Sequence, residues 1–222
     1  EVSKDNGRVL LKVGGSINDI YARKVLAKDN QGFVNVSPSG GMNLETVEPI
    51  YLGKTTPDFT MGWNNNFTYK NFGLSFLINA RVGGIVTSST QALLDRFGVS
   101  KASADARDAG GVMIPNQGLY DAKKYYTLIA TGENDLAGYY TYSATNVRLQ
   151  ELTLSYKFNS RLFNNVIKDL TLSFVATNPW MIYCKAPFDP ELTASTGTYG
   201  QGNDYFMQPS LKSYGFSVKF KF

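Results

Sequence analysis

The sequence predicts an all-β chain, an antiparallel transmembrane β-barrel segment whose long extracellular loops carry short helices. Three observations predict it. Apolar and polar residues alternate over runs of about 10 to 12 residues, close to the roughly 9 to 11 of a tilted membrane-spanning strand and above the usual soluble mode of about 5 to 6. The face opposite the apolar one is built from Asn, Ser, Thr and Gly, which suits a crowded aqueous lumen, whereas the outer face of a soluble β protein is rich in Lys, Glu and Asp. The connections between runs are long and short by turns, as in membrane barrels with tight periplasmic turns and long extracellular loops.

The runs follow in order. A weak first candidate covers 17–26. In "DFTMGWNNNFTYKN" one face carries Phe59, Met61, Trp63, Phe67 and Tyr69, and the other Thr60, Gly62, Asn64, Asn66 and Thr68. After "YKN" the phase resets to Phe72, Leu74, Phe76, Ile78, Ala80 and Val82, with Leu77 the exception, so the two runs make a hairpin. The run 147–158 slips between Leu149 and Leu152, where "QE" intervenes, and a β-bulge is expected there. In 170–177, Leu170, Leu172, Phe174 and Ala176 oppose Thr171, Ser173 and Thr177. The last run sets Tyr214, Phe216, Val218, Phe220 and Phe222 on one face and threads Lys219 and Lys221 between them. Trp63, Tyr69, Phe72, Tyr156, Phe158 and Tyr214 lie at run ends and fit interfacial aromatic girdles.

Read backwards, the connections are 178–212 (long), 159–169 (short), 85–146 (long), "YKN" (short) and 27–57 (long). Within 85–146, "TSSTQALLDRFG" opens on capping hydroxyls and closes on Gly98, and "SKASADARDAGG" closes on Gly110 and Gly111; both read as short helices that pack the loop. The "GVMIPNQG" and "GTYGQGND" stretches lack the strand-to-helix context of a phosphate loop and read as turns.

Composition narrows the function classes. The 222 residues carry a net charge of +4 in dispersed lysines and arginines, which argues for a solvated surface and against nucleic acid. There is no histidine, and Cys184 is the one cysteine, so the usual general base, the commonest metal ligand and an internal disulfide are all missing. No apolar run reaches the length of a membrane helix, and "EVSKDNGRVLLKV" lacks a signal-peptide core, so an export signal is expected upstream. Asp189, Glu191 and Asp204 fall in "FDPELTASTGTYGQGND", whose spacing matches no EF-hand loop; solvated loop carboxylates are expected. The residues call for no catalytic group, no cofactor and no metal. Trp180, Tyr183, Tyr199 and Tyr205, in or near the last long loop, are candidate ligand contacts by stacking, with loop packing as the plainer role.

Five segments, "GKTTPDFTMGWNNNFTYKNFGLSF", "SKASADARDAGGV", "NVRLQELTLSYKF", "FDPE" with the glycines after it, and "YGFSVKFKF", occur in family order and span most of 53–222. Together they resemble the C-terminal part of SusC/RagA-like TonB-dependent transporters of the Gram-negative outer membrane. One departure is "TNPWMIY", where Pro179 stands at a position usually held by Leu and is expected to end the ladder. The resemblance implies that 1–222 is the C-terminal portion of a larger, 22-stranded barrel whose plug and earlier strands are absent here. It also implies TonB-driven import of an oligosaccharide or peptide, with TonB acting through the missing N-terminal part and a SusD-like lipoprotein as lid. The last strand, Tyr214, Phe216, Val218, Phe220 and Phe222, would then face lipid and serve as the signal for outer-membrane insertion. Two other readings stay open from the residues: a small independent outer-membrane barrel of about eight strands with a structural or adhesion role, and a secreted glycan-binding β-sandwich.

Overall fold

The computed structural model describes residues 10, 12–37, 40–132, 136–159, 169–191 and 202–221. Two compact units share the chain. One comprises Pro57–Gly83, Ala144–Pro190 and Pro209–Phe222, and the other Glu1–Thr56, Gly84–Ser143 and Glu191–Gln208.

The first of these is a five-stranded antiparallel sheet of β3 (Phe59–Tyr69), β4 (Phe72–Val82), β9 (Asn146–Phe158), β10 (Asp169–Cys184) and β12 (Ser213–Lys221), in the order β12-β10-β9-β4-β3. Each strand lies beside its predecessor in this sheet, so the sheet is a meander. Its short connections, 70–71 and 159–168, leave one end, and its long ones, 83–145 and 185–212, leave the other. Lys70 takes a left-handed φ of 53° in the tight turn between β3 and β4. The expected bulge falls where the "QE" slip put it: Leu77 faces Glu151 and Ile78 faces Leu149, which leaves Gln150 as the extra residue.

The strand 170–177 was expected to stop at Pro179. It continues to Cys184 instead. The ladder with β12 does end at Thr177, opposite Ser213, but the ladder with β9 resumes after a register shift at Trp180, opposite Leu149, and runs to Cys184. Pro179 lies within the shift, so its missing N–H removes no rung.

The second unit holds the remaining elements: β1 (Asp19–Leu26), β2 (Leu44–Lys54), β5 (Ile85–Ser88), α1 (Ser89–Arg96), α2 (Lys101–Asp108), β6 (Val112–Ile114), β7 (Gly118–Tyr120), α3 (Ala122–Gly132), β8 (Thr141–Ser143) and β11 (Asn203–Asp204). The two helices expected in 87–98 and 100–111 are α1 and α2, capped by the Ser88 and Ser100 hydroxyls, which accept from the N–H groups of Gln91 and Ser103. The expectation of one long loop over 27–57 is corrected, because β2 occupies much of it and pairs with β1 in a separate two-stranded sheet. β1, which falls in the weak candidate run 17–26, therefore has no place in the five-stranded sheet. "GVMIPNQG" is the β6–β7 hairpin, turning at Asn116 with φ of 63°. The core of this unit gathers Leu26, Ala92, Ile129, Ala130, Leu136 and Tyr140, so β1, α1 and α3 share one apolar cluster.

Candidate functional site

Residues paired across a sheet share a face, so the register builds the surfaces row by row. One row is Tyr69, Phe72, Tyr156, Leu172 and Val218, and the next is Phe67, Leu74, Leu154, Phe174 and Phe216. A third runs Asn65, Phe76, Leu152, Ala176 and Tyr214. Asn65 is the polar outlier of this face, and its Nδ2 is buried with no hydrogen-bond partner among the described residues. Aromatic contacts knit the rows: Phe72 and Tyr156 lie 4.7 Å apart by ring centroids, Trp63 meets Phe76 edge-on at 5.7 Å, and Phe174 meets Phe216 at 5.4 Å.

The face is apolar yet uncovered. Phe216 is 86% exposed, Phe72 64% and Phe67 55%, and an open apolar trough of about 540 Å³ crosses it between Phe67, Phe72, Leu154, Leu172 and Phe216. An exposed patch of this kind marks an interaction surface, for a protein partner, a ligand or a membrane.

The reverse face has the opposite chemistry. Its rows read Thr68, Gly73, Ser155, Ser173 and Ser217, then Asn66, Ser75, Thr153, Val175 and Gly215. Gly73 is needed for close approach, since a Cβ there would stand 2.5 Å from the Ser155 hydroxyl. Farther along, the Asn79 side-chain amide donates to Gln150 Oε1 at 3.1 Å. Lys219 and Lys221 lie on this side, opposite Thr171 and Asp169.

Arg148, on the same polar face, is buried at 5% exposure. Its Nη2 donates to Asp189 Oδ1 at 2.8 Å and its Nη1 to Ser210 Oγ at 3.2 Å. The expectation of solvated loop carboxylates is thus corrected for Asp189, and for Asp204 as well. Asp204, in the other unit, is 4% exposed and accepts from the Ser88 hydroxyl at 2.7 Å. Glu191 is exposed. Burial of the two aspartates needs partners 41 and 116 residues away, which spacing within one loop cannot reveal.

The candidate aromatics divide. Trp180 and Tyr183 lie on β10, opposite Leu149 and Val147, so they join the apolar face. Tyr205 follows β11 and is 54% exposed; Tyr199 lies outside the described residues. Of the expected insertion strand, Tyr214, Phe216, Val218 and Phe220 are all more than half exposed on the apolar face, while Phe222 lies outside the described residues. In the other unit, Tyr140 donates to Asp95 Oδ2 at 3.1 Å and Tyr125 meets Tyr139 hydroxyl to hydroxyl at 3.0 Å. Burial, followed by the Asp95 charge for Tyr140 and the Tyr139 hydrogen bond for Tyr125, raises both phenols well above their ordinary value.

No family model matches the chain. It is 25% identical over 215 residues to the TonB-dependent receptor P3 of Formosa agariphila, an alignment covering 94% of this chain and 21% of that protein. It is 24% identical over 195 residues to the TonB-dependent receptor SusC of Bacteroides thetaiotaomicron, covering 82% and 18%. The chain thus spans about a fifth of the length of these curated relatives. Among solved structures, the RagAB peptide transporter superposes with a TM-score of 0.60 at 17% identity, over 98% of this chain and 24% of the other. The RagAB peptide importer in its closed-closed state gives 0.57 at 14%, over 96% and 24%. At these identities the two structures speak for the fold.

Proposed function

We propose, on the premise that this chain is a SusC/RagA-like segment of a TonB-dependent transporter, that it builds the C-terminal part of the barrel wall in the outer membrane of a Gram-negative bacterium. The observation that carries this reading is the segregation of whole cross-strand rows. With Leu77 and Asn65 as exceptions, five strands put their aromatics and leucines on one face and Ser, Thr, Asn and Gly on the other, with the apolar side uncovered. In hydrocarbon every backbone polar group must be paired, so β3 and β12, the two ends of the strand order, continue into the remaining strands of the barrel.

On this reading the connections 83–145 and 185–212 are extracellular, and the short ones are periplasmic. The whole transporter imports an oligosaccharide or peptide, a plug occupies the lumen, TonB energises it, and a SusD-like lipoprotein covers the outside. This chain supplies wall and loops and performs no catalysis. The aromatic row of β12 is the part read by the outer-membrane insertion machinery, and Trp180 and Tyr183 belong to the interfacial girdle of the lipid face rather than to a ligand site.

Charge placement tests the wall. Leu74→Arg and Leu172→Arg should each destabilise the folded transporter by about 2–4 kcal/mol if they lie near the bilayer midplane, whereas Ser75→Arg and Ser173→Arg should be mild. Equal penalties on the two faces would contradict it.

A further inference from the structure

We propose that the cleft between α1, α2 and α3 binds one oxyanion group, a carboxylate or sulfate carried by the cargo; this rests on the extracellular placement of 83–145 argued above. The cleft has a volume of about 130 Å³ and is lined by Arg96, Arg107, Lys123 and Tyr126. Each cation comes from a different helix. Cargo-sized pockets run to roughly 300–1,000 Å³, so this hollow suits one charged group and not a whole sugar or residue.

The positions of the charges carry the argument. Arg96 and Arg107 occupy the last turns of α1 and α2, where the helix dipole welcomes a cation. Lys123 is in the first turn of α3, where the dipole is positive and a cation is disfavoured. Helix stability therefore does not explain it; that N-terminus is itself capped by Asp121, whose carboxylate accepts from the Lys124 N–H at 2.7 Å. None of the three closes an ion pair among the described residues, whereas Lys101, on α2, is held by Asp105 at 2.6 Å. The carboxylate that lines the cleft, Asp95, already accepts the Tyr140 hydroxyl at 3.1 Å. The lining itself thus holds three cations and one engaged carboxylate, while the nearby Asp105 is paired with Lys101 and Asp121 caps α3.

Arg107 is also pre-set. Its Nη1 donates to the Gly98 carbonyl at 2.5 Å. A side chain at Gly98 would put a Cβ 2.5 Å from that nitrogen, and the φ of 69° there suits glycine. One of five guanidinium N–H donors is spent on fixing the group, which leaves the others for an anion.

The test titrates the complete transporter in detergent with inorganic sulfate, and separately with acetate, at constant ionic strength set by chloride, using calorimetry. Saturable binding is expected, weakened about tenfold or more by Arg107→Gln or Arg96→Gln, the loss of a charge-assisted bond, and unchanged by Lys101→Gln. Helical circular dichroism of each variant verifies folding. An acidic peptide and a uronate-bearing oligosaccharide are then added as competitors. Displacement of sulfate by one of them names the source of the group. Absence of saturable binding, binding indifferent to both arginines, or failure of both competitors would overturn the proposal. The barrel-wall reading would survive any of these, because it stands on the facing of Leu74 and Ser75 and not on the loops.

Discussion

The Arg148 guanidinium on β9 and the Asp189 carboxylate meet as a two-armed pair, Nη2 to Oδ1 at 2.8 Å and Nη1 to Oδ2 at 3.5 Å, with side chains 6% and 7% exposed. Ser210 joins them through its hydroxyl, at 3.2 Å from Nη1, and its backbone N–H, at 3.4 Å from Asp189 Oδ2. The segments before and after 192–208 are thereby tied to β9.

Removing one partner of such a pair leaves a buried charge uncompensated. Asp189→Ala should therefore destabilise the protein by about 3–5 kcal/mol, while Arg148→Met with Asp189→Ala should cost much less than the sum of the single changes. A double-mutant cycle by denaturant titration checks this. Additive losses would mean that the two groups are solvated independently.

Ser88 serves two elements at once. Its hydroxyl caps α1 by accepting from Gln91 N–H at 3.1 Å and donates to buried Asp204 at 2.7 Å. Ser88→Ala should remove about 1 kcal/mol of capping and a further 1–3 kcal/mol, roughly, from Asp204 losing a donor. Hydrogen exchange is expected to quicken both in the first turn of α1 and at the Phe206 N–H, which donates to Thr90 Oγ1 at 2.7 Å. Acceleration confined to α1 would show that Asp204 holds its segment without Ser88.

The raised phenols give the helical unit an alkaline limit. Tyr125 and Tyr140 ionise above their ordinary 10.0 when folded, so above about pH 10 the folded state binds more protons than the unfolded one. Their contribution to stability is complete below that pH and is lost as pH rises towards the folded values. Helix melting followed against pH, with tyrosinate absorbance, should show a fall beginning near pH 10 that Tyr140→Phe makes shallower. A pH-independent melting point up to pH 11 would contradict this.

Much of the sheet was legible because its side chains answer to a local rule. Period-two alternation gave the bounds of β3 and β4, and the phase slip located the bulge at Gln150. Capping serines and closing glycines gave α1 and α2. What stayed hidden depends on distant partners or on breakers whose cost is removed. Pro49 reads as a strand breaker, yet it falls in the register shift opposite Arg23, where β2 bulges against β1. Pro179 is absorbed in the same way. α3 carried a readable signature, with Asp121 accepting from Lys124 N–H at 2.7 Å and Tyr125, Leu128 and Ile129 at helical spacing. The cationic cleft joins three helices that no sequence spacing links.

The central claim is that one face of the five strands meets lipid and the other meets water. In the complete transporter, with Cys184 replaced by serine, single cysteines at 72–76, 153, 154, 172, 173, 216 and 217 would carry spin labels in a lipid bilayer. Collision with dissolved oxygen, which concentrates in hydrocarbon, is compared with collision with a water-soluble nickel chelate. The account predicts strict alternation: oxygen-accessible labels at 72, 74, 76, 154, 172 and 216, and nickel-accessible labels at 73, 75, 153, 173 and 217. Nickel access at both sets, or a profile along 72–76 without period two, would contradict it.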